Sequence, residues 1–157
     1  MIDISFEAPA DPPVLIATAR LRHPLARVWT AYTEPLFFQQ WWAPHGYTNR
    51  LAEADLEVGG GWRVVQQDPE GNAFAFYGRY ERIEPRSLLA FTFVSELFPD
   101  VTTWMRVDMA DTAMGTMVVT SHRFPDDYHR RGYMNLGGVE RTREPLEKLD
   151  ALLRTMA

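Results

Sequence analysis

Hydrophobic and polar positions along this chain follow two periods. From Tyr47 to Arg123 apolar side chains tend to alternate with polar ones, and strand-like stretches fall at about 47–58, 61–67, 73–83, 87–95, 102–110 and 115–123. Turn chemistry separates them: Gly59-Gly60, Asp68-Pro69-Glu70-Gly71, Glu84-Pro85-Arg86-Ser87, Phe98-Pro99-Asp100 and the segment from Asp111 to Gly115. Links this short join antiparallel neighbours, because a parallel return needs a crossover of about a dozen residues. The compact apolar run Val14–Leu21, flanked by prolines, adds one strand ahead of these. The pattern therefore predicts seven strands in one antiparallel sheet.

Helical spacing brackets the strands. Pro24 suits a first helical turn, and Leu25, Val28, Trp29 and Tyr32 follow on one face. Thr33 reads as the N-cap of a second short helix, with Pro35 in its first turn and Leu36, Phe37 and Trp41 beyond; Ala43-Pro44-His45-Gly46 ends it. After Phe124 the pattern turns helical again. Val139, Thr142, Leu146, Leu149, Leu153 and Met156 form one stripe, with Glu144–Lys148 and Asp150–Arg154 as ion pairs on the wet side. Pro145 predicts either a kink or a second helix start. No repeat, low-complexity segment or linker interrupts the chain, so one domain is expected over 1–157 with its core at about 14–155.

A helix is ~10–12 Å across, while seven strands ~4.8 Å apart span nearly three times that. The sheet must curl around its long helix, and room is expected between them. Parity names the lining: Phe74, Phe76 and Tyr80; Leu89, Phe91 and Phe93; Met105, Val107 and Met109; Thr116, Val118, Thr120 and His122. The alternative is that these side chains fill a solid core. Composition sharpens the picture, since 16 of the 20 aromatic residues lie between Trp29 and Trp104 and the last 24 residues have none. The middle of the chain builds an aromatic wall and the tail an aliphatic helix.

The net charge of −5 argues against nucleic acid or an anionic membrane as partner, and no apolar run reaches the ~20 residues of a membrane span. The opening Met-Ile-Asp-Ile-Ser-Phe-Glu places acids where a signal peptide carries cations, so a cytoplasmic protein is expected. The absence of cysteine excludes disulfides and thiolate chemistry. His23, His45, His122 and His129 form no metal-binding pair at helical spacing, and no cofactor motif is present; Gly59-Gly60-Gly61 lacks the helix and lysine of a phosphate cradle. Ser121 and His122, adjacent on a strand, point to opposite faces and cannot act together.

Several motifs carry a family resemblance. Pro24-Leu25-Ala26-Arg27-Val28-Trp29 with Thr33-Glu34-Pro35, then Trp41-Trp42-Ala43-Pro44, Asp55-Leu56-Glu57-Val58-Gly59-Gly60 with Trp62-Arg63, Gly78-Arg79-Tyr80-Glu81-Arg82-Ile83-Glu84-Pro85, and finally Gly115-Thr116 with His122 stand in one order over about residues 14–153. This order resembles the START-like (SRPBCC) superfamily, and within it the family named after the activator of heat-shock protein 90 ATPase. The resemblance implies an α+β helix-grip fold: a curved antiparallel sheet wrapped around a long C-terminal helix, with two short helices after the first strand. It also implies hydrophobic ligand binding, cyclase-like activity or a stress-associated role. This chain has Arg141-Thr142 where such proteins carry Gly-Trp, which should enlarge the cavity or let neighbouring aromatics fill it.

Binding of a small hydrophobic or aromatic molecule is the reading these features favour. The expected lining is Trp41, Phe76, Tyr80, Phe91, Phe93, Met105, Val107, Val118, His122, Thr142 and Leu146. Trp41-Trp42-Ala43-Pro44 serves either as a lid or as a structural plug. His122 is either a core histidine or a ligand hydrogen-bonding group. A cyclase- or hydrolase-like enzyme using His122 or a tyrosine is one alternative, although paired carboxylates and a nucleophile are missing from the cavity parity. A chaperone-cofactor-like interaction domain is another. A monomer or homodimer is expected.

Overall fold

Alternation placed the strands of the meander correctly, and one more joins them. The computed structural model describes residues 2–156. The element order is β1 (Asp3–Glu7), β2 (Val14–Leu21), α1 (Leu25–Thr33), α2 (Pro35–Trp41), β3 (Thr48–Ala54), β4 (Gly61–Gln67), β5 (Ala73–Glu84), β6 (Leu88–Ser95), β7 (Thr103–Thr112), β8 (Gly115–Arg123), α3 (Asp127–Asn135) and α4 (Gly138–Thr155). All pairs are antiparallel, in the order β1-β2-β8-β7-β6-β5-β4-β3. The sheet thus has eight strands where seven were expected. The extra strand is the acidic opening segment, whose Ile4 and Phe6 alternate with exposed Asp3, Ser5 and Glu7.

The helices correct several local expectations. Glu34, not Thr33, is the N-cap of α2, and the Thr33 hydroxyl instead donates to the Trp29 carbonyl at 2.8 Å. Pro145 does not start a second helix. α4 begins at Gly138 behind Gly137, which is left-handed with φ 86°, and runs through Pro145 to Thr155. Asp150 is not on the wet side. It is buried and accepts from His23 Nε2 at 3.0 Å, while its other oxygen takes Arg154 Nη2 at 2.5 Å. Lys148 donates to the Tyr47 carbonyl in place of a close ion pair with Glu144, and Glu144 accepts from the His45 backbone N–H. These bonds tie α4 to the loop that follows α2.

Packing is uneven across the concave face. α4 contacts β2, α1, α2 and α3, and its Leu146, Leu149 and Leu153 join Ala17, Ala19, Leu21, Val28, Val107 and Val118 in a close-packed cluster. Leu149, Leu153, Val28 and Val118 are wholly buried. Over the other strands the concave side chains change character. Phe76, Phe91, Phe93 and Met105 remain only half-buried although they point inward. Besides their ring neighbours they border a space.

One contact crosses the pleat there. The Trp62 indole N–H donates to the Thr92 carbonyl at 3.2 Å, and the Thr92 hydroxyl accepts from the Arg79 backbone N–H at 2.9 Å. Gly78, opposite Trp62 in the ladder, makes this possible, since a Cβ there would lie 1.8 Å from the Thr92 oxygen. The filled and open regions should respond differently to truncation. Leu149→Ala should cost ~2–5 kcal/mol in urea unfolding, as expected for an aliphatic side chain sealed in a tight cluster. Met105→Ala, bordering the space, should cost less than half as much.

Candidate functional site

The space is a cavity of about 1030 Å³ between the concave face of the sheet and helices α2, α3 and α4. Small-molecule sites are commonly ~300–1,000 Å³ and apolar with a few polar marks. Ten of the eleven residues expected to line it do so: Trp41, Phe76, Tyr80, Phe91, Phe93, Met105, Val107, His122, Thr142 and Leu146. Val118 does not. It shares the parity of His122 but lies farther along β8, where the close-packed cluster closes over it, so it belongs to the filled core. Parity fixes which face a side chain takes, and helix placement decides whether that face is covered.

Other lining residues came without a clear sequence signal. Tyr32 arrives from α1, Tyr133 from α3 and Pro145 from α4, and helical periodicity could not aim them at the strands. Trp42 and Trp62 were visible as motif residues, and Thr120 as a parity mate of His122; all three line the cavity. Trp42 is the centre of an aromatic box. Its ring lies 5.7 Å from Trp62, 6.1 Å from Phe76 and 5.7 Å from Phe93, all edge-on, and 5.2 Å from Phe38 in a stack.

The two tryptophans of the Trp41-Trp42 pair divide the work. Trp41 is almost fully buried, and its indole N–H donates to the Ala31 carbonyl at 2.9 Å, which fixes α2 against α1. Trp42 faces the cavity, and its carbonyl is gripped by the amide nitrogens of Asn49 and Gln66, each at 3.0 Å. Asn49 also donates to the Gln39 carbonyl, and Gln39 returns a bond to the Asn49 carbonyl. This brace on β3 and β4 holds the aromatic box in place.

Polar groups inside are few and uncharged. His122 is buried between Phe93, Phe124 and Tyr133, with ring centroids 5.4, 4.4 and 5.0 Å away. Burial pushes its pKa down to about 3, so the ring is neutral at physiological pH. Its Nε2 lies 2.8 Å from Thr103 Oγ1, which itself sits 2.9 Å from the Phe93 carbonyl. A carbonyl only accepts, so the threonine proton goes to Phe93 and His122 supplies an Nε2–H, leaving Nδ1 as an acceptor. Burial also raises Tyr80, to about 12, and raises Tyr32 against a smaller opposing effect of Thr120. Tyr133 is raised as well, with Thr142 and Arg141 working the other way. The acidic and guanidinium side chains of the lining, Glu53 on β3 and Arg131 and Arg141 beside α3, are all exposed.

The mouth lies between the β6–β7 loop and α3. Leu97, Phe98, Tyr128 and Leu136 line it with most of their surface in solvent, beside Arg131 and Arg141. α3 has no buried residue; its N-cap Asp126 accepts from the His129 backbone N–H, and Asp127 pairs with Arg130 and Arg131. Thr142, in place of the tryptophan expected by resemblance, donates its hydroxyl proton to the Gly138 carbonyl and adds no ring to the space. Among the described residues no three His, Asp or Glu side chains converge as metal ligands would, and no helix is long and apolar enough to cross a membrane.

Residues 22–154 match the family model of Activator of Hsp90 ATPase homolog 1-like proteins. No curated protein matches the chain. Among solved structures, a protein from Rhodobacter sphaeroides superposes with a TM-score of 0.89 at 19% identity, covering 98% of this chain and 100% of that one. A protein from Mycobacterium smegmatis gives 0.86 at 20%, covering 98% of both. One from Nitrosomonas europaea gives 0.81 at 25% identity over 90% of this chain and 94% of its own. These structures share the helix-grip architecture with this chain.

The neutral state of His122 has a consequence for stability. The unfolded imidazole protonates below about pH 6.5, whereas the buried ring does not until about pH 3. Between those values the unfolded state binds the extra proton, so stability falls as pH falls, by up to ~1.4 kcal/mol per unit. His122→Phe should flatten this decline in urea unfolding between pH 6.5 and pH 4. An unchanged slope would mean the histidine is not buried neutral.

Proposed function

The chain belongs to the Activator of Hsp90 ATPase homolog 1-like family, and we propose that it is a receptor for a small hydrophobic or aromatic molecule held between the sheet and α4. One observation carries this reading: about 1030 Å³ of space walled by Trp42, Trp62, Phe76, Phe91 and Phe93, over strands of the concave face from which α4 stands away. Apolar surface left in contact with water is costly at ~25 cal/mol per Å², and a ligand that displaces that water recovers it. The edge-on and stacked ring pairs form a firm wall, so little ordering is left for binding to do. The apolar rim at Leu97, Phe98, Tyr128 and Leu136 extends the same surface to the outside and supports entry between the β6–β7 loop and α3.

Catalysis has less support. Among the described residues His122 is the only imidazole in the lining apart from His129 at the mouth, its Nε2–H is held by Thr103, and no carboxylate bonds to it. Such a ring orients a ligand more readily than it moves a proton at neutral pH.

N-phenyl-1-naphthylamine, a neutral apolar probe that fluoresces when shielded from water, should bind with micromolar or better affinity. Thr142→Trp places an indole in the cavity and should weaken that binding roughly ten-fold, the loss of about 1.4 kcal/mol of apolar contact, while keeping the urea midpoint. No fluorescence gain with the natural sequence, or equal binding by the variant, would reject the receptor.

A further inference from the structure

The strand register places four cavity residues in a single row. His122 on β8 stands opposite Met105 on β7, Met105 opposite Phe91 on β6, and Phe91 opposite Tyr80 on β5. Partners across a ladder share a face, and all four line the cavity. The row therefore reads polar, thioether, aromatic, polar from one side to the other. Three strand spacings separate its ends, roughly 14 Å along the sheet and less between side-chain tips on a concave surface.

Both ends carry unused hydrogen-bonding capacity. His122 Nε2 is occupied by Thr103, and Nδ1 has no hydrogen-bond partner among the described residues. The Tyr80 hydroxyl has no partner either, and its ring is fixed edge-on to Phe91 at 6.0 Å. Among the described residues Asn49 Oδ1 is the one side-chain nitrogen or oxygen that is both sealed from any probe and unpartnered. The free atoms of His122 and Tyr80 are thus not sealed in protein, and both residues open on the cavity. An acceptor and a hydroxyl that open on the cavity without a protein partner are left to pair with whatever occupies it.

We propose that the cavity selects a neutral, elongated, ring-containing molecule with a hydrogen-bonding group at each end. Its hydroxyl or amine donates to His122 Nδ1, its body lies over Met105 and Phe91, and its far end meets the Tyr80 hydroxyl. An anionic ligand is disfavoured inside, because no cation lies along the row to offset the loss of water around a carboxylate. Sulfur and ring edges in the middle favour a flat aromatic or conjugated body over a flexible alkyl chain. This specificity rests on the receptor reading above.

The test compares three rigid probes of one shape: trans-stilbene, trans-4,4′-dihydroxystilbene and trans-stilbene-4,4′-dicarboxylate, with N-phenyl-1-naphthylamine as the general probe. The dihydroxy compound should bind about ten-fold or more tightly than stilbene, and the dicarboxylate should not bind. His122→Phe and Tyr80→Phe should each cut the affinity ratio of dihydroxystilbene to stilbene by roughly three- to ten-fold, one hydrogen bond apiece. Tyr80→Phe removes a single oxygen, so it keeps the test available if His122→Phe unfolds. Equal affinities for stilbene and its dihydroxy form, ratios unchanged in both variants, or tight dicarboxylate binding would overturn the specificity while leaving the receptor standing. The same holds if the naphthylamine binds and no stilbene does. If none of the four compounds binds, the receptor falls and the specificity with it.

Discussion

The width of the sheet against the width of one helix governs the rest of this structure. Eight antiparallel strands cannot be covered by a single rod ~10–12 Å across, and two short helices and α3 make up only part of the difference. α4 settles over the β2 side of the sheet, tied there by Asp150 to His23 and by Leu149 and Leu153 to the filled cluster. What remains of the concave face is closed at its edges and open in its middle.

That division explains why so many aromatics occur in one stretch of the chain. A rim of rings can meet edge to face and span a gap that aliphatic side chains would collapse into. Trp42, Trp62, Phe76 and Phe93 do this around the cavity, and the Asn49–Gln66 grip on the Trp42 carbonyl keeps the wall from slumping inward. The Trp62 bond to Thr92 reaches across the sheet over Gly78, so the wall is held from the strand side too. The aliphatic half of the molecule provides most of the tight packing. The aromatic half provides a shaped space with neutral polar marks.

Much of this was legible along the chain. Alternation in β3 to β8, proline and glycine turns, and the Leu146-Leu149-Leu153 stripe gave the meander and the gripping helix, because strand and helix periods depend only on which side of an element meets water. The same parity put Phe76, Tyr80, Phe91, Phe93, Met105 and His122 on the cavity face. β1 escaped notice because an edge strand of five residues with half-exposed Ile4 and Phe6 carries a weak signal. The spacing of Asp150 to Arg154 fits a solvated pair equally well; only the arrival of His23 from the turn after β2 makes it a buried one.

Sequence alone determined most of the elements, the antiparallel pairing of the meander and the face each of its side chains takes, since these follow from local backbone geometry and from the period of apolar residues. Tertiary structure decided which stretch of the shared face would be filled and which left hollow. Val118 and His122 have the same parity four residues apart, yet one is sealed under the helix cluster and the other borders the cavity. Register across β5, β6, β7 and β8 likewise set Tyr80, Phe91, Met105 and His122 side by side. Contacts between residues so distant in the chain depend on how the strands slide and where α4 comes to rest, and no local pattern encodes either.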